Sequence, residues 1–149
     1  MTPARPILAN SCAFAATAQE ARFRIDRPIG GRAALVIALD DKAAEVVDRV
    51  AEHRWQGARF FRGPDELDLG QELADADVAI MIATADADGD VAERIARACA
   101  ERGIMTSGLI LGERLDVEPA VSALRPYARN LMVTDDEDDV GAVLTALRA

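Results

Sequence analysis

Cysteine, histidine and aromatic residues are scarce in this sequence. Its 149 residues include two cysteines, Cys12 and Cys99, without C-x-x-C spacing, and a chain of this length buries enough apolar surface to fold without disulfides. His53 is the single histidine, which excludes a metal centre made of several histidines. The cysteine content predicts a cytoplasmic protein whose thiols stay reduced.

Long apolar runs are also missing, and acidic residues outnumber basic ones, with 26 Asp and Glu against 17 Lys and Arg. No run reaches the roughly 18 to 20 apolar residues of a membrane span, and Asn10 and Ser11 interrupt an apolar stretch at residues 7–18 that otherwise resembles a signal peptide. A net charge of −9 repels nucleic-acid backbones and anionic membranes. We therefore expect a soluble protein that binds a small-molecule ligand, a cation, a protein partner with a basic surface, or a second copy of itself as a homo-oligomer.

Strand-like and helix-like patterns alternate through residues 32–149. Short continuous apolar runs are typical of strands covered on both faces, and apolar residues at i, i+3, i+4 and i+7 are typical of helices. The runs predict strands at residues 33–39, 58–61, 78–83, 104–111 and 130–133. The helical spacing predicts helices from the Asp40-Asp41 cap to residue 53 and at residues 64–74, 90–102, 118–124 and 139–147.

This alternation predicts an α/β domain at residues 32–149, with a doubly wound, mainly parallel sheet of about five to six strands and helices on both faces, a Rossmann-like architecture. Residues 1–31 contain three prolines and end in two glycines, which predicts an N-terminal arm with one short strand at residues 22–25. Ligands of such sheets bind outside the carboxyl ends of the strands. The strand-to-helix loops are therefore the candidate site.

Three of these loops, at residues 39–42, 84–90 and 134–139, are rich in carboxylates. One interpretation treats the acids as N-caps and as first-turn charges that complement helix dipoles. A second brings the loops together around Mg²⁺, which takes oxygen ligands and offsets the repulsion between carboxylates. A third is an acidic surface for a basic protein. The candidate ligand-binding residues are Asp40, Asp41, Thr84, Asp86, Asp88, Gly89, Thr106 and Asp135, and the candidate metal ligands are Asp40, Asp86 and Asp88.

Other reactive residues give weaker signals. His53 lies near a predicted helix end, which favours a cap or a surface position, and Cys99 falls on an apolar helix face, which favours the core. The serines lack a G-x-S-x-G elbow, although Ser107 and its neighbours on the fourth strand can line a pocket. Trp55 fits either an interface anchor or a ring packed on the sheet.

The order of segments resembles the nucleotide-binding domain of the FtsZ/tubulin family. Residues 35–39 (LVIAL) and 57–61 (GARFF) resemble its first two strands, and residues 76–85 (ADVAIMIATA) its third. Residues 103–110 (GIMTSGLI) are similar to its G-I-x-T-x-G strand, and residues 124–133 to the segment that enters its fifth strand. The likeness spans about residues 33 to 135.

The departures from that family concern its phosphate loops. Residues 38–43 (ALDDKA) replace a glycine-rich loop, and residues 86–90 (DADGD) replace the G-G-G-T-G-T-G signature, so backbone approach is blocked and phosphate is repelled. The chain also ends where the family continues into a long helix and an activation domain. The resemblance therefore implies a non-hydrolytic module that binds a small ligand or a protein partner, without GTP hydrolysis or self-stimulated polymerisation.

Two other families compete with this interpretation. A Toprim-type domain has an acid after its first strand and a later D-x-D, which Asp40 or Asp41 with Asp86 and Asp88 resemble; that likeness implies Mg-dependent phosphotransfer or phosphohydrolase chemistry. The acidic charge and the lack of a basic channel disfavour it. A receiver-like signalling domain also begins with such an acid pair, but it needs an Asp at the end of the third strand, where this chain has Thr84.

Overall fold

Two strands are buried along their whole length in the computed structural model, which describes residues 32–149. They are β1 (Ala34–Ala38) and β3 (Val78–Ala83), and every residue of both is apolar. Side chains alternate between the faces of a strand, so complete burial requires helices on both sides of the sheet. The two strands accordingly lie side by side inside the sheet, paired in parallel.

The remaining elements complete a doubly wound sheet. The other strands are β2 (Ala58–Phe61), β4 (Met105–Leu111) and β5 (Asn130–Thr134). The helices are α1 (Asp41–Ala51), α2 (Leu69–Glu72), α3 (Gly89–Glu101), α4 (Glu118–Leu124) and α5 (Asp138–Ala146). The strand order is β2-β1-β3-β4-β5, and all neighbouring strands are parallel. Helices α1 and α5 cover one face, and α3 and α4 cover the other.

The predicted fold class is confirmed, and the predicted bounds of the strands agree with the structure within one residue at each end. The predicted helix at residues 64–74 is wrong, because that segment divides into a 3-10 turn at Pro64–Glu66 and the short helix α2. Leu67 between them is extended, and the side chain of Asp68 accepts the N–H groups of Gly70 and Gln71 as an N-cap. An Asp in this position starts a new helix instead of continuing one.

The sheet described by residues 32–149 has five strands, and the predicted strand at residues 22–25 lies outside the described residues. Its strand order reverses between β1 and β3, since the chain leaves β1 toward β2 on one side and continues from β3 toward β4 on the other. A crevice at the carboxyl ends of these two strands is the usual ligand site of such sheets. Within residues 32–149 no helix is long and apolar enough to cross a membrane.

Gly108 allows α4 and β5 to pack closely against β4. A Cβ atom at this position would lie 2.5 Å from Leu131 Cδ1 and 3.2 Å from Leu124 Cδ1. Leu124 is fully buried, and Leu131 packs against the same core layer. The missing side chain therefore fixes the distance between the helix and the edge strand.

Gly108→Ala should lower the free energy of unfolding, because overpacking of a core costs about 1 to 3 kcal/mol. Gly141→Ala is the matched control, since a Cβ atom there meets nothing within 4 Å and the residue lies inside α5. The control should raise stability by about 0.5 to 1 kcal/mol, because alanine favours the helix. Urea unfolding followed by circular dichroism measures both, and equal stability of Gly108→Ala and the parent would contradict the close packing.

Candidate functional site

The carboxylate of Asp40 connects the carboxyl ends of β1 and β3 by hydrogen bonds. Asp40 is the N-cap of α1, and its Oδ1 accepts the N–H of Ala43 and the hydroxyl of Thr84, both at 2.9 Å. Its Oδ2 accepts the N–H of Thr84 at 2.7 Å. Both oxygens are therefore engaged, and they tie the end of β1 to the end of β3.

Asp40→Ala should destabilise the domain by about 1 to 3 kcal/mol, because it removes a helix cap and leaves the partly buried groups of Thr84 without an acceptor. Asp41→Ala is the matched control, since Asp41 is exposed and lies in the first turn of the same helix. Loss of its dipole interaction costs about 0.3 to 1 kcal/mol. Thermal unfolding measures the stability of both variants. Equal losses of stability would show that the hydrogen bonds of Asp40 contribute nothing beyond its charge.

The loop after β3 contains an exposed ion pair and a second helix cap. Asp86 Oδ2 lies 2.8 Å from Lys42 Nζ, and this hydrogen bond, together with the charge of Asp86, raises the pKa of the Lys42 ammonium. Asp88 caps α3 by accepting the N–H of Asp90 at 2.9 Å. Gly89 is the first residue of α3. The ammonium of Lys42 therefore links the loop after β3 to the first turn of α1.

The loop after β5 also has its polar groups engaged internally. The Thr134 hydroxyl donates to Asp139 Oδ2 at 2.5 Å and accepts the N–H of Asp136 at 3.1 Å. Asp136 Oδ1 in turn accepts the N–H of Asp138 at 2.9 Å. Asp135 is exposed and lies in the wall of a cleft.

The predicted site residues are only partly brought together. Across residues 32–149, no group of three or more His, Cys, Asp or Glu side chains is arranged to hold a metal ion, so Asp40, Asp86 and Asp88 do not form one ligand set. Their hydrogen bonds are those of helix caps and an ion pair. Thr106 is 2% exposed and pairs with Ala79 near the amino ends of β3 and β4, away from the strand-end loops.

A cleft of about 670 Å³ lies beside α4 and extends along β5, from Leu131 to Asp135, to the loop after β4. Arg114 and Arg125 line it from the loop after β4 and from the end of α4. Neither guanidinium has an ion-pair partner among residues 32–149. The complete lining is Gly112, Glu113, Arg114, Glu118, Val121, Arg125, Leu131, Val133, Thr134 and Asp135.

The two arginines were missed in the sequence, where attention went to the acids. Arg114 lies in a strand-to-helix loop, and Arg125 lies one residue before Pro126, at the end of a helix. Eleven residues separate them, so no spacing rule links them. The signal available in the sequence was one arginine, Arg114, in a strand-to-helix loop of a chain whose net charge is −9.

The remaining reactive residues have structural positions. Trp55 is half-buried, donates its Nε1–H to the carbonyl of Val50 at 2.8 Å and packs on Phe60 with ring centroids 6.3 Å apart. Cys99 is buried in the core, and this burial raises the pKa of its thiol, which keeps it protonated. Ser107 is buried on β4, and its hydroxyl has no hydrogen-bond partner within the described part of the chain.

Comparisons with known proteins support the fold and nothing finer. No family model matches the chain, and no curated protein matches it. One similar solved structure is the solution NMR structure of a de novo designed protein, at 13% identity and a TM-score of 0.50 over 77% of this chain and 88% of that chain. At this identity the likeness concerns the fold alone. It agrees with the doubly wound α/β class seen in the sheet order.

Proposed function

We propose that this domain is a non-hydrolytic binding module that recognises a carboxylate-bearing ligand in the cleft between β5 and α4. The observation that supports it is the pair Arg114 and Arg125, two guanidinium groups without ion-pair partners in residues 32–149 that line the same concave surface. Guanidinium groups bind planar carboxylates through two parallel hydrogen bonds.

The acidic residues of the cleft favour a carboxylate over a phosphate. Glu113, Glu118 and Asp135 line the same cleft as the two arginines. A phosphate dianion would meet repulsion from these groups, whereas a single carboxylate places less charge near them. The same acids suit a ligand that carries a hydrogen-bond donor or a cation beside its carboxylate.

Binding without chemistry is supported by what lines the cleft. Its described lining contains no serine, cysteine or histidine, and its only hydroxyl side chain, Thr134, already donates to Asp139. The lining therefore lacks the Ser–His or Cys–His pair that activates a nucleophile in many covalent catalysts. The resemblance to FtsZ/tubulin domains stays a prediction. That resemblance implies that Asp40 stands where the family has a phosphate loop, and the carboxylate of Asp40 accepts hydrogen bonds from Thr84.

Titration with N-acetylglycine, followed by ¹⁵N NMR, tests the proposal. The amide signals of residues 112–114, 125 and 131–135 should shift with this acid and should not shift with N-acetylglycinamide, which lacks the charge. Replacing both Arg114 and Arg125 by Gln should weaken binding about tenfold or more, because a hydrogen bond to a charged group contributes about 1.5 to 3 kcal/mol.

Arg129→Gln is the matched control for this double substitution. Arg129 is exposed, lies next to β5 at its other end and does not line the cleft. Its loss removes a positive charge without removing a contact, so affinity should change little. Equal weakening by Arg129→Gln, or equal shifts with the acid and the amide, would refute carboxylate recognition by the cleft.

A further inference from the structure

We infer that the ligand of this cleft is an extended peptide, which adds as a further strand to the edge of β5 that no strand of residues 32–149 covers, and whose carboxylate is bound by the arginines of the lining, Arg114 and Arg125. This inference rests on the proposed function and names the class of ligand. It depends on three features of the structure: the open edge of β5, the groove between that edge and α4, and the position of the arginines.

The outer edge of β5 offers unpaired backbone groups. β5 is the last strand of the sheet and pairs with β4 alone among the strands of residues 32–149. The N–H of Gly112 donates to the carbonyl of Thr134 at 2.9 Å, which fixes Thr134 as a residue whose backbone faces β4. Backbone groups alternate along a strand, so those of Leu131 and Val133 point away from the sheet. They can pair with an added strand.

The two edges of the sheet differ in their protection. β2 carries the exposed Arg59, which forms an ion pair with Glu72, and charged residues on an edge strand discourage further pairing. β5 contains no charged residue and no proline, and Met132 on its other face is 37% exposed. An unprotected edge is expected where pairing with a partner is the function.

The groove would receive alternate side chains of the added strand. Leu131 and Val133 are half-buried and face α4, where Val121 and Arg125 line the opposite wall. Side chains of a strand stand perpendicular to its sheet, so every second residue of a peptide beside β5 would enter this groove. Backbone pairing then supplies affinity, and the groove supplies selectivity.

The loop after β4 defines one end of the groove. It carries Arg114 and Glu113 in the lining, and Leu115 beside them is 91% exposed. Arg114 lies at this end, whereas Arg125 lines the groove from the end of α4. A carboxylate of the peptide, at its C-terminus or on a side chain, would meet one or both guanidinium groups along the groove. Leu115 is placed to contact an apolar residue of the same peptide.

The test uses the full chain and a library of hexapeptides, randomised at all six positions and made with either a free C-terminal acid or a C-terminal amide. Binders should be enriched, and binders with neutral side chains should come from the acid library alone if the C-terminus supplies the carboxylate. If a side chain supplies it, both libraries should yield binders rich in Asp or Glu. The best binder is then resynthesised with N-methyl groups on alternate amides, in each of the two frames.

Strand addition predicts an asymmetric result. Methylation of the amides that face β5 should weaken binding about tenfold or more, and methylation in the other frame should change it little, because only one set of amides donates to the sheet. The amide hydrogens of Leu131 and Val133 should also exchange with solvent about tenfold more slowly in the complex. Replacing Arg114 and Arg125 by Gln should abolish the requirement for a carboxylate, while Arg59→Gln on the opposite edge should leave binding unchanged.

The inference would be overturned if methylation in the two frames weakened peptide binding equally, or if neither library yielded a binder. If N-acetylglycine still binds in an arginine-dependent way, such a failure leaves the proposed function standing. Slow exchange of Leu131 and Val133 before any peptide is added would mean that β5 is already paired. Dependence of that protection on protein concentration would identify a second copy, and independence would identify residues 1–31.

Discussion

The carboxylate of Asp40 links the ends of β1 and β3 at the point where the strand order reverses. These strands are buried on both faces, so their ends are the only parts of the central sheet that reach solvent. Three hydrogen bonds, from Ala43 and from the backbone and side chain of Thr84, occupy both oxygens of Asp40 there. The same contacts begin α1 and hold the loop after β3. At the usual ligand crevice of a doubly wound sheet, the oxygens of Asp40 are thus engaged by groups of the protein itself.

The cleft lies instead beside β5, because α4 is shorter than β5. Helix α4 has 7 residues and is about 10 Å long, whereas the 5 residues of β5 span about 16 Å. The helix is therefore too short to cover the strand, and Leu131 and Val133 stay half-exposed beside it. Gly108 sets the depth of this arrangement by letting Leu124 and Leu131 approach β4. The cleft thus results from the way in which α4 and β5 pack against β4.

The fold was predictable from sequence because each central strand has a local apolar pattern that identifies it. Continuous apolar runs identify β1 and β3, and an Asp after β1 followed by Ala and Val at helical spacing identifies α1. The site was not predictable to the same degree. In sequence Asp40 and Asp135 look alike, since each follows a strand, but one is a satisfied cap and the other lines a cleft. That Arg114 and Arg125 line one cleft follows from the strand order and from the place where α4 ends, which local sequence patterns do not contain.

Under the proposed function, the charge of the chain and the shape of the cleft would select a ligand in different ways. The excess of negative charge over the whole chain opposes polyanions at long range, and this repulsion is screened within about 8 Å at physiological ionic strength. Arg114 and Arg125 act only inside that distance, on a group already delivered to the groove. A ligand with one carboxylate on an otherwise neutral or basic body escapes the long-range repulsion and gains the local attraction. Nucleic acids and nucleotides fail the first condition, and neutral molecules fail the second. An extended peptide meets both, and it also satisfies the outward backbone groups of Leu131 and Val133, which no small carboxylate can do.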